Sequence, residues 1–133
     1  MGENWVKWDI GLSDFPNKIY LESLTDSKEG LILVFSNEDS DKIYKFNFEY
    51  SVLSYRNNDE SYMLRTLSYI SETCGKEVLG NPLFTVERSS YIEWFNNQSF
   101  DIYKDYNPTH YAFFTPNDIV EVISNYPPTV YVN

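Results

Sequence analysis

The residues able to do chemistry are few in this chain. His110 is the sole histidine and Cys74 the sole cysteine. A catalytic or metal-binding histidine needs a nucleophile, a carboxylate or a second ligand at hand, and only Asp101 and Asp105 stand near His110 in sequence. A histidine opening a strand is more often structural. Cys74 falls on the apolar stripe of an expected helix and reads as core filling. Asn37, Glu38, Asp39 and Asp41 resemble a cation loop, but the glycine and distal glutamate of an EF-hand are missing and Lys42 follows. A solvated hairpin tip fits them better. The adjacent acids Asp59 and Glu60 suit a helix start more than glycoside hydrolysis. Arg56, between Tyr55 and Asp59, is placed to pair with Asp59 or Glu60 and hold a strand–helix corner. No glycine-rich phosphate loop, CxxC or GxSxG is present, so the expectation is a protein with no enzyme activity, no cofactor and no metal.

The elements that would carry these residues begin with Ile43–Tyr50. Tyr44, Phe46, Phe48 and Tyr50 recur every second residue, which puts four rings on one face of a strand and calls for a partner layer. The strand is expected to end where the charged run from Arg56 to Glu60 begins. Lys18–Leu24 alternates as a moderate strand, and Gly30 can take positive φ in the turn before Leu31–Phe35. That continuous apolar run suits a central strand covered on both faces. Three strands with short turns make an antiparallel meander. Residues 1–18, with Trp5 and Trp8, read as a short strand or a loop over a sheet edge.

The spacing of Met63, Leu67, Ile70 and Cys74 predicts a helix over roughly 60–73, capped by Asn58 or Asp59 and stopped by Gly75. Leu83–Glu87 follows the turn at Gly80-Asn81-Pro82 as a strand. Ser90-x-x-Glu93 is a capping box for a short helix presenting Tyr91, Trp94 and Phe95. His110–Thr115 reads as a strand. Thr115-Pro116-Asn117-Asp118 has the form of a helix start, with Ile119, Val120, Val122 and Ile123 as its buried side. Thr129–Val132 reads as an edge strand after Pro127-Pro128. The expected class is α+β, one domain over 1–133, with a meander of about three strands packed by two or three helices.

Composition narrows the partners. Aromatics make up 18% of the 133 residues, so the chain folds. Twenty acids against ten bases give a net charge of −10 and a pI near 4.4. Nucleic acid and anionic membranes are therefore excluded as expected partners, and basic proteins or uncharged surfaces are favoured. The first residues carry acids and no long apolar run, unlike a signal peptide. Position six after Met1-Gly2 is Val6, against the myristoylation pattern. With one cysteine and no apolar run of membrane length, the expected location is cytoplasmic.

Three segments carry a resemblance: Tyr55-Arg56-x-x-Asp59-Glu60, Ser90-Tyr91-Ile92-Glu93-Trp94-Phe95, and His110-Tyr111-x-x-x-Thr115-x-Asn117-Asp118-Ile119-x-Glu121-Val122-Ile123-Ser124 with Pro127-Pro128. Together they resemble small acidic immunity proteins of Firmicutes polymorphic toxin systems. The likeness is concentrated in the C-terminal half; residues 1–40 carry none of it. It implies a protein that binds and blocks a cognate toxin domain, basic and nuclease-like in the simplest case, and it carries over no functional residue. An acidic inhibitor would be steered to such a toxin. The contact residues expected from charge and aromatic content are Glu38, Asp39, Asp41, Asp101, Tyr103, Asp105 and Tyr106. Whether the chain is a monomer or a homodimer is left open. A self-associating module, or a ligand-binding protein using Trp5 and Trp8 over a cavity, are the other readings.

Overall fold

The computed structural model describes residues 2–133; Met1, and with it the start of the Met1-Gly2 motif, lies outside them. Among the described residues nine strands form two antiparallel sheets. In chain order they are β1 (Asn4–Lys7), β2 (Tyr20–Ser27), β3 (Gly30–Ser36), β4 (Tyr44–Glu49), β5 (Val52–Asp59), β6 (Leu83–Glu87), β7 (Thr109–Phe114), β8 (Asp118–Ser124) and β9 (Thr129–Val132). Two α-helices, α1 (Leu64–Thr73) and α2 (Ser90–Gln98), lie between β5 and β7. One sheet has the order β2-β3-β4-β9 and the other β1-β6-β7-β8-β5. Helices and antiparallel strands are both present, as expected, but the strands dominate: the expected meander is β2-β3-β4, and it supplies only one of two sheets.

The sheets face each other over the aromatic strand. Tyr44, Phe46 and Phe48 meet Tyr111 and Phe113 of β7, with Phe46 and Phe113 rings 5.1 Å apart and Phe35 stacked on Phe113 at 5.3 Å. Tyr50, the fourth ring of the alternation, is not in this layer. The strand stops at Glu49, whose φ of 55° turns the chain, and Tyr50 is exposed. In β3, Leu31, Leu33 and Phe35 are buried while Ile32 and Val34 are half-buried, so only one face of this strand is covered. Trp8, Ile10, Leu12 and Phe15 of the segment after β1 pack at the margin of the same core.

The five-stranded sheet is covered on its other face too. Trp5, Phe84, Val86 and Ala112 form a second core with Ile70 of α1. Ile70 is the fully buried member of the predicted stripe. The helix begins later than expected: Asp59 Oδ1 caps a single 3-10 turn over Glu60–Tyr62 by accepting from the Ser61 amide at 2.8 Å, and α1 starts at Leu64. The run from Arg56 to Asp59, expected to end the strand, continues β5 in register with β8 up to Asp59 opposite Asp118.

The largest departure is at Thr115–Ser124. No helix starts there. Thr115 Oγ1 accepts from the amides of Asn117 and Asp118 at 3.1 and 2.8 Å, which closes a hairpin between β7 and β8. The capping chemistry is the one a helix N-terminus uses, but β-branched Ile119, Val120, Val122 and Ile123 favour a strand. Because β8 lies between β7 and β5 with both faces covered, its apolar residues run without alternation and mimic a helical stripe.

Candidate functional site

Alternation along β7 and β8 puts His110 and Glu121 on the helix-covered face of the five-stranded sheet. Both are about 1% exposed. Glu121 stands opposite Ala112 on β7 and opposite Arg56 on β5, so it has a basic neighbour on one side and His110 diagonally on the other. Arg56 reaches across with two bonds, Nε to Oε2 at 2.8 Å and Nη2 to Oε1 at 3.0 Å. This corrects the expected local pairing of Arg56 with Asp59 or Glu60. His110 Nε2 lies 2.8 Å from Glu121 Oε1, and Nδ1 lies 2.7 Å from Ser89 Oγ.

Burial alone would raise the Glu121 carboxyl, but the hydrogen bonds from His110 and Arg56 outweigh it and hold the group below its ordinary value. Burial likewise acts to lower the Arg56 guanidinium, and the Glu121 bonds override it. An ionised Glu121 only accepts hydrogen bonds, so His110 Nε2 donates to it. In the neutral ring Nδ1 then accepts from the Ser89 hydroxyl.

Ser–His–Glu in hydrogen-bonded series has the members of an acyl-transfer triad but not its arrangement: a triad serine bonds Nε2 and the carboxylate Nδ1, whereas Ser89 is on Nδ1 and Glu121 on Nε2. Its serine is otherwise engaged. Ser89, not the expected Ser90, is the N-cap of α2: Oγ accepts from the Ile92 amide at 3.0 Å, and the residue is buried. Ser90 instead gives its amide and hydroxyl to Glu3 Oε2, both at 2.7 Å. Tyr91 completes the cluster. Its hydroxyl lies 2.6 Å from Ser54 Oγ, its ring meets His110 edge-on, and Arg56 stacks over it at 3.9 Å. The network thus ties α2 to three adjacent strands. Of its members the sequence signals were weak: a histidine and a glutamate inside apolar strands, each requiring a buried partner.

A different kind of site stands at the far end of α2. The helix ends in a Schellman motif: the Asp101 amide donates to Asn96 O at 2.8 Å and the Phe100 amide to Asn97 O at 3.5 Å. The left-handed position of this motif is normally glycine. Here it is Phe100, at φ 56°, followed by Asp101 at φ 61°. Phe100 is 90% exposed, and Trp94, Ile102 and Tyr106 are also exposed. Phe95, Tyr103 and Tyr106 follow one another as tilted ring pairs, with centroids 5.8 and 5.9 Å apart. Acids Glu93, Asp101 and Asp105 are interspersed and exposed.

The expected contact residues therefore fall into two groups. Asp101, Tyr103, Asp105 and Tyr106 belong to the segment after α2. Glu38, Asp39 and Asp41 lie in the β3–β4 connection, where Asn37 Oδ1 accepts from the Asp39 and Ser40 amides and Glu38 accepts from the Tyr20 hydroxyl. This tip is at the start of β4. The segment after α2 enters β7 at Thr109, which pairs with Ser124, and Ser124 contacts Ser51 beyond the end of β4. The six residues of β4, about 20 Å, separate the two ends.

Among the described residues no group of three or more His, Cys, Asp or Glu is arranged to hold a metal, and no helix is long and apolar enough to cross a membrane. Of the two tryptophans expected over a cavity, Trp5 is buried against Phe84, whereas Trp8 packs on Tyr111 and Phe113 and also lines an open cavity of about 240 Å³ with Ile10, Leu12 and Phe15. Compared with known proteins, the chain matches no family model, no curated relative and no solved structure.

Proposed function

We propose that this chain is a non-enzymatic binding protein whose partner docks on α2 and the turn that follows it. The observation that carries this reading is Phe100. A bulky ring in a left-handed conformation costs about 1 kcal/mol, and an exposed ring recovers nothing from the core. Such strain is tolerated where a site needs it. Phe100, Trp94 and Ile102 supply the apolar centre of an interface, and Glu93, Asp101 and Asp105 its acidic surround. With a net charge of −10, the partner is a basic protein. The resemblance to immunity proteins makes a toxin domain, blocked by occlusion, the partner class. The acids of the β3–β4 tip then act at range, raising the encounter rate rather than touching the partner. Ser89 is committed to capping α2, which is why we read the Ser89–His110–Glu121 series as a structural pin.

Co-expression with the products of adjacent genes, followed by affinity capture, tests the reading. The expected result is one basic partner, toxic alone and harmless with this chain, whose capture is lost with Trp94→Ala. A partner that is neutralised equally by the Trp94→Ala and Phe100→Gly variants would place the interface elsewhere.

A further inference from the structure

Between β1 and β2, residues 8–19 form neither helix nor strand, and both ends of the segment are anchored. The Trp8 amide donates to Leu83 O at 3.0 Å, and Ile19 is fully buried in the core between the sheets. Two cavities lie along this segment. One, of about 240 Å³, is walled by Trp8, Ile10, Leu12 and Phe15. The other, of about 440 Å³, is walled by Leu67 of α1, Leu79, Phe114 and Ile119. Asn17, Asn81 and Pro82 belong to both, so the two make one cleft with a waist. Its size is that of a small-molecule site.

The chemistry of the walls is of three kinds. All eight apolar residues except Ile119 are only half-buried, so they keep apolar surface in water that an occupant would remove. The waist is polar. Asn81 Nδ2 donates to Glu77 O and Val78 O, both at 3.3 Å, which leaves its Oδ1 free to accept. The exposed Asn17 amide makes no hydrogen bond among the described residues. Charge, finally, is balanced. The charged residues of the cleft are Lys7, Asp9, Lys18 and Glu60, two of each sign, in a chain whose net charge is −10.

We infer that this cleft binds an uncharged, elongated small molecule with an apolar group at each end and a hydrogen-bonding group between them. The apolar ends fill the two cavities, and the middle group donates to Asn81 Oδ1 or pairs with the Asn17 amide. Apolar walls with a few convergent polar groups are what a site for such a ligand requires. An anion would approach against the net charge and lose its hydration beside Asp9 and Glu60, whereas a cation is drawn to the acids that crowd the rest of the surface. A neutral ligand meets neither obstacle. No residue of α2 lines either cavity, so this site is separate from the surface proposed for the protein partner.

The probe is N-phenyl-1-naphthylamine, uncharged, with an aromatic group at each end of one N–H and a fluorescence that rises in apolar surroundings. Titrating the full chain into it, up to about 100 μM, detects micromolar affinity. The expected result is saturable one-to-one binding. The sulfonated analogue, 1-anilinonaphthalene-8-sulfonate, should bind at least about tenfold more weakly. Leu79→Trp fills the larger cavity and should weaken the neutral probe at least about tenfold with unchanged circular dichroism. Asn17→Ala, at an exposed residue whose side chain the fold does not use, should weaken it about fivefold. Trp94→Ala, on the exposed aromatic surface of α2, should bind as wild type does. Several outcomes overturn the inference: no saturable binding, equal affinity for the sulfonate, or binding lost in Trp94→Ala. So does affinity retained in Leu79→Trp or, should that variant misfold, in Asn17→Ala.

Discussion

Arg56 and Glu121 face each other across β5 and β8 as a two-bond ion pair, with the carboxylate buried and the guanidinium side chain 41% exposed. The asymmetry decides what each side contributes. Arg56 keeps part of its hydration, whereas Glu121 depends on Arg56 and His110 for all compensation of its charge.

Replacing Glu121 with Gln should therefore destabilise the fold by about 2–3 kcal/mol, less than breaking a fully buried pair because Arg56 remains partly solvated. Urea unfolding measures it. A double-mutant cycle with Arg56→Gln should show coupling of about 1–3 kcal/mol. Additive single effects would mean that the pair is geometric only.

The same carboxyl sets an acid limit. Its pKa in the folded chain is below the ordinary 4.5, so the folded state binds this proton less readily than the unfolded one. The stabilisation is complete above the ordinary glutamate range and is lost as pH falls through the depressed folded value. Unfolding free energy should decline as pH is lowered from about 5, and Glu121→Gln should flatten that limb. An unchanged slope would assign the acid limb to other carboxyls.

Function and stability should separate at the end of α2. Phe100→Gly removes the ring and relieves the left-handed strain, so the fold should be unharmed or gain up to about 1 kcal/mol while partner affinity falls at least about tenfold. Asp101 also sits at positive φ, where asparagine is tolerated and lysine is strained. Asp101→Asn and Asp105→Lys are the charge variants that leave the backbone intact, and both should weaken binding more at low salt than at high salt. Titration calorimetry paired with thermal melts reads both quantities.

Gly30 should be irreplaceable. It has φ 100°, and a Cβ built on it falls 2.0 Å from the Glu49 carbonyl oxygen. Gly30→Ala must push β3 and β4 apart at the bulge between Leu31 and Ile32, at about 3 kcal/mol. A melt within a degree or two of wild type would show that the turn relaxes.

Local pattern made part of this legible. The alternation of Tyr44, Phe46 and Phe48 placed one core face, and Leu83–Glu87 was read to the residue, because hydrophobic period and turn residues act within a few positions. Thr115–Ser124 misled because one hydroxyl cap serves both a helix start and a hairpin, and a doubly covered strand loses its period. The pin of Arg56, Ser89, His110 and Glu121 was beyond reach: its members come from β5, the start of α2, β7 and β8, and only strand order brings them together. The acid and aromatic content of Asp101–Tyr106 did point to the turn after α2, but not to Phe100, whose significance lies in a backbone angle.

The pairing of β9 with β4, and of β1 with β6, gives this chain a particular order of events at birth. β4 leaves the ribosome with one side of its ladder open, and its neighbour is made last among the strands. β1, made first among the strands, waits for β6 until β2, β3, β4, β5 and α1 have been made. Such distant pairings close slowly, in the millisecond-to-second regime of sheet-rich domains. During that interval the aromatic strand at the centre of the core has an unpaired edge, and a nascent chain is most exposed to misassociation there.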